Sequence, residues 1–114
     1  MGVQDQLRIE VRQESDRAVV ALDGELDMAN APLLQSVVEG SDLDGDIAVV
    51  LDLDQLQFID STGLRIILLA RERCQQRGQE FAVTRGTQQV QRLLSVTGVG
   101  EHLRTISRAD GLLV

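Results

Sequence analysis

Ser61 is the residue of this chain best placed to change its chemical state. It stands in Phe58-Ile59-Asp60-Ser61-Thr62-Gly63-Leu64-Arg65-Ile66-Ile67-Leu68-Leu69, where small polar residues follow a strand-like run and open a long apolar-faced one. Asp, Ser, Thr and Gly favour a helix entrance, because a side-chain oxygen there can accept from a backbone N–H that has no partner inside the helix. Ser61 therefore belongs at or next to a helix N-terminus, at the mouth of a loop that follows a core strand. Two readings of its hydroxyl stay open. One is an N-cap, worth about 1 kcal/mol. The other is a switch, since phosphorylation adds roughly 1.5–2 negative charges near neutral pH. A phosphate at a helix N-terminus gains about 0.3–1 kcal/mol from the dipole, so it would act at an interface and not by melting the helix. Asp60, and Asp27 or Asp23 if their loop lies alongside, would add like-charge repulsion.

Other chemistries find less support. Asp60, Ser61 and His102 are the residue types of a hydrolytic triad, but no Gly-x-Ser-x-Gly elbow surrounds Ser61. All eleven basic residues are Arg, which excludes a phosphate-binding, Schiff-base or catalytic lysine. One His and one Cys cannot build a His- or Cys-rich metal centre. Asp42, Asp44 and Asp46 are spaced like a calcium loop, yet Ile47 stands where the turn glycine belongs and Leu53 where the bidentate Glu belongs. No phosphate-cradling glycine motif occurs. The expectation is a protein that is not an enzyme, with no cofactor and no metal. His102 reads as a surface or helix-end residue and Cys74 as packing at a helix edge.

The whole chain agrees with a binding role. Its 114 residues suffice for one domain with a core, and 43% hydrophobic content excludes wholesale disorder. Two Phe without Trp or Tyr leave no platform for stacking bases. A net charge of −7 argues against nucleic acid. A single cysteine suits a reducing compartment, and no membrane-spanning or signal-like run is seen, so the expectation is a cytoplasmic protein without membrane insertion.

The elements that must position Ser61 follow from periodicity. Residues 1–6 read as a loose terminus. Leu7 to Arg12 alternates as a half-buried strand, and Ala18 to Leu22 forms a second strand after a polar turn, with Asp23-Gly24 as a bend and Glu25-Leu26 resuming beyond it. Pro32 fits only the first turn of a helix that Asp27 or Asn30 would cap; Leu33, Leu34, Val37 and Val38 give its apolar spacing, and Gly40 ends it. Ser41 to Asp46 is an acidic loop. Ile47 to Leu53 is a nearly continuous central strand, and Asp54 to Asp60 reads as a connection whose Leu56, Phe58 and Ile59 lie on the core. A helix is expected from about Thr62 to Arg77, with Gly78 just past its end. Glu80 to Thr84 is a strand with Phe81 and Val83 inward; Thr87 caps a helix carrying Val90, Leu93 and Leu94 that stops near Gly98. A short helical turn and a short strand around Ile106 follow, and residues 108–114 are an uncertain tail. The order predicts an α/β domain with a mixed sheet of four or five strands and helices packed on it, spanning 1–114.

Val50-Leu51-Asp52-Leu53, then Phe58-Ile59-Asp60-Ser61-Thr62-Gly63-Leu64, closely resembles the signature of STAS domains, the anti-sigma factor antagonists of bacteria. Gly24-Glu25-Leu26-Asp27 resembles that family's first motif and Thr97-Gly98-Val99 its last; the resemblance covers roughly Ala18 to Ile106. It implies a protein that binds an anti-sigma factor, usually a serine kinase of the histidine-kinase-like ATPase type, and so releases a sigma factor. It implies that the kinase phosphorylates Ser61, that a metal-dependent serine phosphatase reverses this, and that Thr62 is a second hydroxyl sometimes modified in relatives. Asp27 and Asp60 match the family's acidic residues near the phosphorylated one. Asp27, Asp60, Ser61, Thr62, Gly63 and Arg65 are then the expected partner-binding residues, and the free protein is expected to be a monomer. Many such regulators read Gly-Leu-Gly after the hydroxyls, whereas Arg65 follows Gly63-Leu64 here. Arg65 can pair with a phosphate, pair with Asp60, select a different partner, or simply be solvated. A rival reading is a cytosolic accessory subunit that docks on the ATPase of a lipid ABC transporter without phosphorylation.

Overall fold

The structure, a computed structural model, describes residues 6–14, 16–40, 43–45 and 48–107. Five strands, β1 (Leu7–Gln13), β2 (Arg17–Leu26), β3 (Ala48–Ile59), β4 (Phe81–Thr84) and β5 (Thr105–Ile106), alternate with three helices, α1 (Ala31–Glu39), α2 (Ser61–Gln76) and α3 (Gln88–Thr97). A 3-10 turn, Val99–His102, leads into β5. The strands lie in the sheet in chain order, with β1 antiparallel to β2 and every later neighbour parallel. The mixed sheet expected from the hairpin and the βαβ repeats is therefore found. The tail expected over 108–114, the terminus over 1–5, and Asp42 and Asp46 of the acidic loop lie outside the described residues; Asp44 of that loop pairs with Arg77 at 2.9 Å.

Alternation sorts the strand residues between two faces. Val20, Leu22, Val49, Leu51, Leu53 and Val83 join Leu34 and Val38 of α1, Leu64 and Ile67 of α2 and Val90 of α3 in one buried cluster. All three helices thus share one face of the sheet, as right-handed crossovers that always step the same way require. On the other face Val19 and Val50 form a second, small cluster with Ile106. No helix among the described residues is long and apolar enough to cross a membrane.

β3 runs beyond the expected segment. The stretch 54–59 read as a connection continues the strand to Ile59. Its partner on one side is β2, whose own continuation through Asp23-Gly24 keeps pace by register shifts between Ala21 and Asp23 and between Gly24 and Glu25. Gly24 is needed at that irregularity: its φ is 114°, and a Cβ there would lie 2.0 Å from the carbonyl oxygen of Gln6. On the other side the β3–β4 ladder ends at Leu51–Val83, and side chains take over. The Leu53 N–H donates to Thr84 Oγ1 at 2.8 Å, the Gly86 N–H to Asp54 Oδ1 at 3.2 Å, and Thr87 Oγ1 to the Leu56 carbonyl at 3.0 Å. Thr87 also caps α3 as expected, accepting from the Val90 N–H. Phe58, expected on the core, is instead 47% exposed, because Leu56 and Ile59 hold the two core-facing positions of this segment.

Thr84 is fully buried, and its hydroxyl also donates to Asp52 Oδ1 at 3.3 Å. Thr84→Val, which keeps the shape and deletes the oxygen, strands the Leu53 N–H and should cost about 1–3 kcal/mol in urea unfolding. Thr84→Ser should recover most of that loss.

Cys74 packs in the core on α2, where burial pushes its thiol from the ordinary 9.0 up to about 11 against a smaller opposite pull from Arg77. A pKa raised by folding means that the unfolded chain loses its proton first. The corresponding stability is whole below pH 9 and is lost as pH climbs toward 11. The chain has no Tyr or Lys, and a guanidinium keeps its proton throughout, so Cys74 is the one side chain titrating in this window. Unfolding free energy measured from pH 8.5 to 11 should therefore fall in the wild type and stay flat in Cys74→Ala.

Candidate functional site

The end of β3, the first turn of α2 and the loop from β2 to α1 meet at Asp60. Asp60 is the N-cap of α2: its Oδ1 accepts from the Gly63 N–H at 2.9 Å. Its Oδ2 accepts from the Met28 N–H, thirty-two residues earlier, at 3.0 Å. Its own N–H donates to the Leu26 carbonyl at 3.1 Å. One aspartate thus satisfies the helix entrance and fastens the neighbouring loop to it.

That loop is braced from within. Asp27 Oδ1 accepts from the N–H groups of Ala29 and Asn30 at 3.0 and 3.3 Å. Asn30, 4% exposed, returns the favour: its Oδ1 accepts from the Asp27 N–H at 2.9 Å, and its Nδ2 donates to the Glu25 carbonyl at 2.8 Å. Asn30 occupies the N-cap position of α1 but makes no side-chain cap bond, because its amide is spent on the loop. Of the two caps expected for α1, neither side chain caps a free N–H inside the helix; both build the turn that precedes it.

Gly63 explains how the helix can come so close. A Cβ at Gly63 would stand 2.8 Å from Leu26 Cγ and 2.9 Å from Ile59 Cγ1, so only glycine lets the first turn of α2 seat on the ends of β2 and β3. Ile59 and Leu26 are both buried, at 4% and 0% exposure.

Ser61 is exposed and is the first residue of α2, one place after the cap. The cap reading of Ser61 is therefore replaced by Asp60, whose carboxylate reaches Gly63 from the preceding position. Among the described residues the hydroxyls of Ser61 and Thr62 bond to nothing, and their N–H groups have no acceptor. These are the orphan donors of a helix start, pointing outward. Thr62 is half-buried beside Ser61, and Arg65 is exposed one turn further along. Arg65 forms no hydrogen bond or ion pair among the described residues, and Asp60, its nearest acidic candidate in the sequence, is already engaged by two N–H groups.

Asp27, Asp60, Ser61, Thr62 and Gly63 are thus gathered by one junction, and Arg65 lies on the same helix within a turn of it. The sequence reading did not place Met28 and Asn30 in this site. Asn30 carried a signal, a capping residue two places before Pro32; Met28 carried none, because its part is played by a backbone N–H. Met28 is 73% exposed, Leu33 on the first turn of α1 is 49% exposed, and Phe58 is 47% exposed. Among the described residues, two of the four exposed large apolar side chains, Met28 and Phe58, therefore belong to the segments that converge on Asp60, and Leu33 follows on the helix that the loop enters; the fourth, Val96, is on α3. His102 is exposed at the end of the 3-10 turn. No group of three or more His, Cys, Asp or Glu able to hold a metal ion occurs among the described residues.

Comparison with known proteins places this architecture. The STAS domain matches residues 8–110, a longer stretch than the three motifs span. The anti-sigma-F factor antagonist RsfB of Mycobacterium tuberculosis is 27% identical over 107 residues, covering 94% of this chain and 87% of that protein. An anti-sigma F factor antagonist of Paenibacillus polymyxa is 33% identical over 94 residues, 82% of this chain and 80% of that protein. The crystal structure of an anti-sigma factor antagonist from Mycobacterium paratuberculosis has a TM-score of 0.82 and 25% identity, covering 96% of this chain and 93% of that one. With its mixed sheet, its Asp-capped helix after β3 and its braced loop after β2, the chain belongs to the STAS domain family.

Proposed function

We propose that this protein is an anti-sigma factor antagonist of the bacterial cytoplasm, switched at Ser61. In its unmodified form it binds an anti-sigma factor that is also a serine kinase, and a sigma factor is released. The carrying observation is that Ser61 is exposed at a helix start already capped by Asp60, so its hydroxyl is free for modification without loss to the fold. The exposed Met28, Leu33 and Phe58 around the same junction supply apolar area for a partner. The antagonist names of the relatives agree with this reading.

The chemistry is a reversible phosphoryl transfer carried out by the partners. Ser61 Oγ takes the terminal phosphoryl of the kinase's ATP, ADP leaves, and the hydroxyl proton passes to a base on the kinase. A metal-dependent serine phosphatase adds water, restoring the hydroxyl and releasing inorganic phosphate. A phosphate on Ser61 would face the orphan N–H groups and positive pole of α2, which favour it, so the folded domain tolerates the modification. A hundredfold loss of partner affinity corresponds to about 2.7 kcal/mol, within reach of one charge group buried against a close-fitting surface. Asp60 and Asp27, held beside the serine, add to the repulsion of any acidic partner surface brought near. The free protein acts as a monomer, leaving the junction open.

Intact-mass and phosphopeptide analysis of the protein from its native cells should find phosphate on Ser61 in a fraction that changes with growth or stress. Ser61→Ala should leave stability within about 0.5 kcal/mol of wild type, because the serine is not the cap, and should keep binding to the anti-sigma factor. Asp60→Ala should lose about 0.5–2 kcal/mol of stability. Ser61→Asp should weaken binding at least tenfold by calorimetry. Equal affinities for Ser61→Asp and wild type, or a transporter ATPase captured in place of a small kinase, would overturn the switch.

A further inference from the structure

Arg65 is a cation without a partner beside a hydroxyl without a partner. It lies four residues after Ser61 and three after Thr62 on α2. Side chains at those spacings are neighbours on a helix, with Cβ atoms about 5–6 Å apart. The remaining neighbours at those spacings, Leu68 and Leu69, are apolar. Asp60 already accepts from the Gly63 and Met28 N–H groups, and the guanidinium forms no ion pair with it. Arg77 and Arg104 on the same domain are each held by an acid, Asp44 and Glu80, both at 2.9 Å, whereas Arg65 is held by none among the described residues.

We propose that Arg65 is the internal counter-ion of a phosphate on Ser61, closing an ion pair along α2 that exists only in the modified protein. The inference rests on the switch reading and adds to it a specific device. An anion N-terminal to a cation at this spacing is the favourable order on a helix, and a guanidinium offers a phosphate two parallel N–H donors. The pair changes the partner face in two ways at once. The dianion appears, and the guanidinium, open to solvent or to a partner's carboxylate before, is drawn back onto its own helix. Phosphate on Thr62 would reach the same side chain from three residues away.

The test uses the full chain with phosphoserine incorporated at position 61 by genetic encoding, so it does not depend on whether cells modify the residue. Phosphorus NMR follows the second ionisation of the phosphate, which lies near pH 6 in a free phosphoserine. In wild-type Arg65 protein its midpoint should be lower than in Arg65→Gln by about 0.3 pH unit or more at low salt, and the gap should close in about 1 M salt. Gln is a good helix former at an exposed site, and matching far-ultraviolet circular dichroism would establish that α2 is intact in both. Phosphorylation should also raise the melting temperature more in wild type than in Arg65→Gln. Equal midpoints in the two proteins would overturn the pair, even with Ser61 found phosphorylated in cells. A lowered midpoint with Ser61 unmodified in every cellular condition would uphold the pair and overturn the switch.

Discussion

The two oxygens of Asp60 carry the geometry of this site. One binds the helix that follows it and the other binds a loop from the far side of the β2–β3 ladder. A carboxylate that accepts two backbone N–H groups in fixed directions has little freedom left, and so the first turn of α2 and the β2–α1 loop are locked to a common origin. Everything that gives the neighbouring serine its opportunity depends on this. Because the cap is supplied from the preceding position, Ser61 stands on a rigid, finished helix with its hydroxyl unused. Gly63 completes the arrangement by removing the one Cβ that would lift the helix off Leu26 and Ile59.

The same economy appears along β3. Past Leu51 its ladder with β4 stops, and the burden passes to Thr84, Asp54 and Thr87. These side chains imitate a strand partner and let β3 continue toward the site while β4 turns away into α3. Asp52, which accepts from both the Asp54 N–H and the Thr84 hydroxyl, holds the point of divergence. The length of β3 fixes the position of Asp60, because its last residue sits immediately before it.

Most of the architecture was legible from residue patterns. The alternation in β1, the apolar run in β3, Thr87 before α3 and the glycines after the helices state their elements directly. The second half of β3 was not legible, because Asp54, Gln55 and Gln57 have poor strand propensity and their strand is held by residues some thirty positions away. Phe58 was misplaced for a related reason: a large aromatic suggests the core, but Leu56 and Ile59 already fill it. At the site, the pattern Asp-Ser-Thr-Gly identified the helix start and left the cap ambiguous between adjacent capping types. What decides in favour of Asp60 is its second contact, to a backbone N–H at position 28, which no spacing rule contains. Asp27 was visible as part of a motif, but its work with Asn30 in bracing a loop is a property of the folded turn.

The sheet ends on one side in β1, which carries Arg8, Glu10 and Arg12 on the face away from the helix core, with Arg8 reaching Asp23 of the neighbouring strand at 3.6 Å. On the other side it ends in β5, only two residues long. A short strand and a charged one are poor templates for adding a foreign strand. Recognition by backbone pairing, which reads little of the side chains, is thereby disfavoured. Under the proposed function a partner would then meet this domain through side chains on a loop and a helix end. Such a contact is decided by a few atoms, which is the condition under which altering one oxygen can alter the whole encounter.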